Sequence, residues 1–108
     1  MGDDAVIDQL RVLLYHTTDD LAGIEAAYHL ASKHLMEVPG LLNNELLRSV
    51  HDPSGFVVAS SWRSLEAFRE WEGGPEHRDQ TAPLRPFRDT TLNRPFGIYQ
   101  VTATYQTH

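Results

Sequence analysis

Three pairs of neighbouring apolar residues constrain this chain more than anything else in it. Leu13 and Leu14, Leu46 and Leu47, and Val57 and Val58 each fall within a segment of strand-like composition. Successive side chains on a strand point to opposite faces of the sheet. A sheet made from these segments is therefore apolar on both sides, and each side needs a cover.

The remaining segments supply covers for only one side. LRVLLYHT, residues 10 to 17, reads as the first strand, and TTDD after it can cap a helix. That helix carries the stripe Leu21, Ile24, Tyr28, Ala31 and Leu35, at helical spacing, and Val38-Pro39-Gly40 stops it. LLNNELLRSV (41 to 50) and FVVASSW (56 to 62) read as two strands of a hairpin turned by HDPSG. Ser64 can cap a second helix with Leu65, Phe68 and Trp71 on its apolar stripe, ended by Gly73-Gly74. Pro75 then suits the first position of a further short helix carrying Glu76, His77 and Arg78. Residues 82 to 97 hold three prolines and are expected to cross the surface irregularly. IYQVTATYQ, residues 98 to 106, alternates as a fourth strand.

The order β-α-β-β-α-β specifies a single α+β domain over residues 1–108, the ferredoxin-like split βαβ arrangement. Its four antiparallel strands carry both helices on one face. The cheapest cover for the other face is a second copy of the same sheet, so a homodimer is expected. Burying several hundred Å² at about 25 cal/mol per Å² would offset much of the association cost.

Charge and composition exclude several functions. The net charge of -6 argues against nucleic-acid binding, which needs a basic face. The absence of cysteine removes disulfides, thiolate metal sites and cysteine nucleophiles, and fits a reducing cytoplasm. MGDDAVIDQL is acidic and has no long apolar run, so neither a signal peptide nor a membrane anchor is expected there. His29 and His34 are five residues apart on a helix and face different ways, so they make no metal pair. No metal-ligand, phosphate-loop or nucleophile-elbow motif is present, and neither metal nor cofactor is expected.

Several residues have the chemistry of a pocket. His77 starts a helix after a Gly-Gly hinge, and its near-neutral imidazole suits it to accept a proton from a phenol or enol. Arg78 beside it could hold an anionic oxygen. Trp62 and Trp71 can pack and also present an N–H. Asn44 sits mid-strand among leucines and needs partners for its amide. Tyr15 and His16 face opposite ways at the end of the first strand, so one of them points toward the helices. Tyr28 and Phe68 lie on the two helical stripes.

The segment from Pro39 to Asp79 resembles the antibiotic biosynthesis monooxygenase (ABM) superfamily. The residues that carry the resemblance are Pro39-Gly40, Arg48-Ser49, Asp52-Pro53, Trp62, Ser64, Phe68, Trp71 and Pro75-Glu76-His77. It implies a dimeric α+β barrel. It also implies a cofactor-independent monooxygenase that uses O2 to oxidise a small aromatic substrate, a polyketide-type phenol or anthrone, to a quinone. On this reading His77, Trp62 and Asn44 are catalytic, and Trp71, Arg78, Tyr15, His16, Tyr28 and Phe68 bind substrate. A non-oxidative cyclase, or a ligand-binding accessory protein without turnover, would use the same pocket. Haem-degrading relatives carry an Asn on the first strand and a His nine or ten residues after the tryptophan matched by Trp71. This chain has Gln80 and Thr81 at those places and no Asn in the first strand. Anthrone-oxidising relatives place an Asn four residues before the strand-three Trp and a Tyr six after it, where this chain has Val58 and Phe68.

Overall fold

The structure is a computed structural model and describes residues 6–105. Four strands form one antiparallel sheet: β1 (Leu10–Thr17), β2 (Leu41–Arg48), β3 (Gly55–Trp62) and β4 (Phe96–Gln100), in the order β2-β3-β1-β4. Between them run α1 (Leu21–Leu35), α2 (Leu65–Glu72), α3 (His77–Thr81) and a 3-10 helix over Ala82–Phe87. This is the expected ferredoxin-like arrangement.

Local chemistry fixes the joints. The Asp20 carboxylate accepts from the Gly23 amide at 2.9 Å and caps α1, and Ser64 Oγ accepts from the Ala67 amide at 3.1 Å and caps α2. Gly40 has a φ of 89°, and a Cβ built on it would lie 2.4 Å from that of Ala67. Only glycine meets both conditions at this turn, so Pro39-Gly40 is where α2 is allowed to close on the sheet. In the β2–β3 turn Ser49 Oγ accepts from the amides of His51 and Asp52, Asp52 Oδ1 accepts from the Ser54 amide, and Arg48 Nε donates to Pro53 O. The Arg48-Ser49 and Asp52-Pro53 pairs thus build the hairpin.

Two expectations are corrected. Residues 82 to 97 are not wholly irregular: the 3-10 helix buries Leu84 in the core with Ile24, Ala31, Phe56 and Val58. Proline near the start of a helical turn costs no hydrogen bond, which is how Pro83 is accommodated. The fourth strand starts earlier and stops sooner than residues 98 to 106. Among the described residues β4 pairs only with β1, and that ladder runs out at the Leu10–Gln100 pair. Val101 to Tyr105 form no strand, and Gln106 lies outside the described residues.

The interior is divided. One apolar cluster gathers Ile24, Ala31, Phe56, Val58 and Leu84; a second gathers Leu10, Val12, Trp62 and Phe68; Leu14 packs against both. Between the clusters lies a cavity. Among the described residues no helix lies over the opposite face of the sheet. Leu13, Tyr15, Val57, Ala59, Leu47 and Tyr99 share that face by register, and Tyr99 is 57% exposed.

Candidate active site

The cavity measures about 350 Å³, at the small end of the usual range for small-molecule sites. Its floor is the helix-side face of the sheet: Val12, Leu14 and His16 from β1, Asn44 from β2, Val58, Ser60 and Trp62 from β3, Phe96 and Ile98 from β4. Its roof comes from α1, α2, α3 and the 3-10 helix, and includes Phe68, Trp71, Glu72, His77 and Arg85. Arg88 closes one side, held where its backbone bridges that of His16 beyond the end of the β4 ladder.

The aromatic wall is tightly organised. Trp62 stacks on Trp71 with ring centroids 5.1 Å apart, and Phe68 meets Trp62 edge-on at 5.4 Å. The Trp71 N–H donates to Gln80 Oε1 at 2.5 Å, so the position where haem-degrading relatives are expected to carry a histidine is filled here by a glutamine that anchors the indole. The Trp62 N–H donates to Ser60 Oγ at 2.9 Å. Trp62 is 1% exposed and offers the cavity a ring face, not a donor. Ser60, whose oxygen receives that N–H, keeps its own proton to give.

Two imidazoles reach the cavity. His77 sits edge-on to Trp71 at 4.5 Å and is half-buried. Burial lowers its pKa; Glu72 opposes that, while Arg85 and Arg88 add to it. His16 is 4% exposed, and its Nδ1 lies 3.0 Å from Leu14 O. A carbonyl can only accept, so Nδ1 carries the proton in the neutral ring and Nε2 keeps a lone pair. Burial lowers the His16 pKa most, the Leu14 carbonyl raises it, and Arg88 lowers it again.

Asn44 is bound at one end. Its Nδ2 donates to Ser32 Oγ at 2.8 Å, and its Oδ1 is buried with no hydrogen-bond partner among the described residues. One of its two N–H groups is thus committed to Ser32, and its unpaired acceptor is enclosed by the protein. Of the other expected residues, the structure brings Trp71, His16 and Phe68 to the cavity and leaves three away from it. Tyr15 has the opposite parity to His16 and lies on the uncovered face. Arg78 follows His77 on a helix, where neighbours diverge by about 100°, and it is exposed. Tyr28 packs against the first apolar cluster and donates to Asn44 O at 2.7 Å, supporting β2. Sequence reasoning missed Ser60, Arg85 and Arg88. Arg85 Nη2 donates to Arg78 O and Thr81 Oγ1, which holds it against α3.

A sequence model of the family described as antibiotic biosynthesis monooxygenase matches residues 10–82. The chain belongs to the ABM family. Among solved structures, SnoaB, a cofactor-independent oxygenase from Streptomyces nogalater, superposes on this ABM chain with a TM-score of 0.73. The match covers 90% of this chain and 96% of SnoaB at 19% identity, a likeness of fold. Protein SchA from Streptomyces halstedii is 28% identical over 102 residues, 91% of this chain and 27% of SchA. A 42.8 kDa protein in the whiE locus of Streptomyces coelicolor is 32% identical over 65 residues, 59% of this chain and 16% of the relative. The ABM chain thus spans about a quarter of one curated relative and about a sixth of the other. Among the described residues no helix is long and apolar enough to cross a membrane.

Proposed function

We propose that the protein is a cofactor-independent monooxygenase that oxidises a planar phenol or anthrone of the aromatic polyketide type to a quinone. The observation that carries this reading is two imidazoles, His16 and His77, and two guanidinium groups, Arg85 and Arg88, around one aromatic-walled cavity. On this reading a flat ring lies against the aromatic wall of Trp62 and Trp71. His77 removes a proton from the substrate. The anion passes one electron to O2, the radical and superoxide combine as a peroxide, and loss of water leaves the quinone. The substrate supplies the electrons, and a dry site protects the intermediate.

The cations make the first step feasible. Burial lowers the His77 pKa and so weakens it as a base toward a phenol, whose ordinary pKa is about 10. One opposite charge at about 4 Å is worth about 4 kcal/mol at an effective dielectric of 20. Two guanidiniums at the cavity would favour the developing anion and so offset that weakness. Ser60 adds a neutral donor.

The uncovered sheet face supports a homodimer in which a second copy supplies the missing layer. SnoaB, an oxygenase of the same fold, supports the oxidative reading over a cyclase. The direct test is incubation with dihydroxyanthrone under labelled O2. The oxidative reading expects O2 uptake matched to quinone formation, with one labelled atom in the quinone. Turnover that proceeds equally without O2 would instead indicate a cyclase.

A further inference from the structure

Converting a ring CH2 to C=O with O2 removes two protons from one carbon and returns both as water. His77 at the half-exposed rim can take the first and return it to the peroxide anion, which becomes a hydroperoxide. The second leaves a carbon that already carries a peroxide, and the reading above gives that step no residue.

We propose that His16 is the base for this second step. Nε2 takes the remaining proton from the peroxide-bearing carbon. The C–H electron pair closes the C=O bond, the O–O bond breaks, and hydroxide leaves with the O–O pair. The hydroxide then takes the proton back from Nε2 and departs as water, so the ring ends neutral as it began. This inference rests on the oxidative reading.

Three observations point to His16. Its Nδ1 is committed to Leu14 O, so Nε2 is the only lone pair the neutral ring can offer. At 4% exposure it has little access to bulk water, so a proton it accepts is best discharged inside the cavity. The departing hydroxide is an acceptor generated there. Arg88, whose backbone bridges that of His16, supplies the charge that receives the hydroxide as it forms. An imidazolium beside a guanidinium is unfavourable alone and acceptable when an anion joins them. The other charged or titratable groups lining the space are Arg85 from the 3-10 helix, Glu72 from α2 and His77 from α3.

The test is His16→Asn, whose side-chain amide can keep the bond to Leu14 O but has no basic nitrogen. With dihydroxyanthrone in a single turnover, O2 uptake should persist while quinone release slows about 10²-fold. A hydroperoxide, heavier than substrate by the mass of O2, should accumulate. His16→Gln, which likewise lacks a basic nitrogen, should slow the same step and serves if His16→Asn does not fold. Quinone release at the wild-type rate from both variants overturns the inference. So does loss of O2 uptake with no hydroperoxide from a folded His16→Asn, because the residue would then act earlier. Absence of O2 uptake by the wild-type protein would refute the oxidative reading itself, a result distinct from either.

Discussion

The indole N–H of Trp62 donates to Ser60 Oγ at 2.9 Å, two residues back on the same face of β3. The largest side chain of the cavity wall thereby holds a small hydroxyl in place beside the substrate space. Ser60→Ala should leave a buried N–H unpaired and cost about 1–3 kcal/mol in denaturant unfolding. Made together with Trp62→Phe, the two changes should be less than additive, with a coupling of at least about 0.5 kcal/mol. Strict additivity would mean the bond contributes nothing.

His77→Ala should reduce turnover by about 10²-fold or more while the fold, read by circular dichroism, is retained. The residue is half-buried on a five-residue helix, so its loss leaves the apolar clusters intact. Near-normal rates would remove it from the role of first proton acceptor.

His16 sets a pH dependence of stability. Burial depresses its folded pKa below the ordinary 6.5, so the unfolded chain binds the proton more readily. Above about 6.5 the ring is neutral in both states and its contribution is fully present. As pH falls below that value, stability should drop by up to about 1.36 kcal/mol per pH unit, and level off once the folded ring also protonates. His77 is shifted the same way and adds less, being more exposed. Urea unfolding from pH 8 to pH 5 should show this slope, and His16→Asn should flatten most of it. An unchanged slope in the variant would assign the effect elsewhere.

The open sheet face should be covered in solution. Sedimentation should give a species of twice the chain mass. Leu13→Lys, at the centre of that face, should yield a folded single chain. A wild-type protein that sediments as one chain at micromolar concentration would refute the dimer.

Gly40→Ala should destabilise without touching the cavity lining. Its positive φ alone costs about 1–2 kcal/mol for a residue with a Cβ, and the 2.4 Å approach to Ala67 adds to that. A thermal melt within a degree of wild type would show that the turn relaxes freely.

Much of this protein could be read from residue spacing. The alternation in LRVLLYHT and FVVASSW and the stripe from Leu21 to Leu35 carry the element order, because burial of one face leaves a period in the chain. The same parity puts Ser60 on the face of Trp62 and His16 opposite Tyr15, so both were within reach of sequence. Helical geometry likewise separates Arg78 from His77, since adjacent residues on a helix point about 100° apart. Arg85 and Arg88 were beyond reach. They lie in a proline-rich stretch with no period, and their position depends on the packing of Leu84 and on a bridge to the end of β1. The full length of β4 was illegible because alternation shows that a segment can pair, not that it has a neighbour.

The division of the apolar interior into two clusters has a practical consequence. A ligand lodged between them would knit the halves together, so occupancy should register as added heat resistance. At a hundred times its dissociation constant, a ligand contributes about 2.7 kcal/mol. In a domain of about a hundred residues each kcal/mol raises the melting point by roughly 4–8 °C. A library of fused-ring phenols could therefore be ranked by melting temperature alone, and the natural substrate sought without a turnover assay.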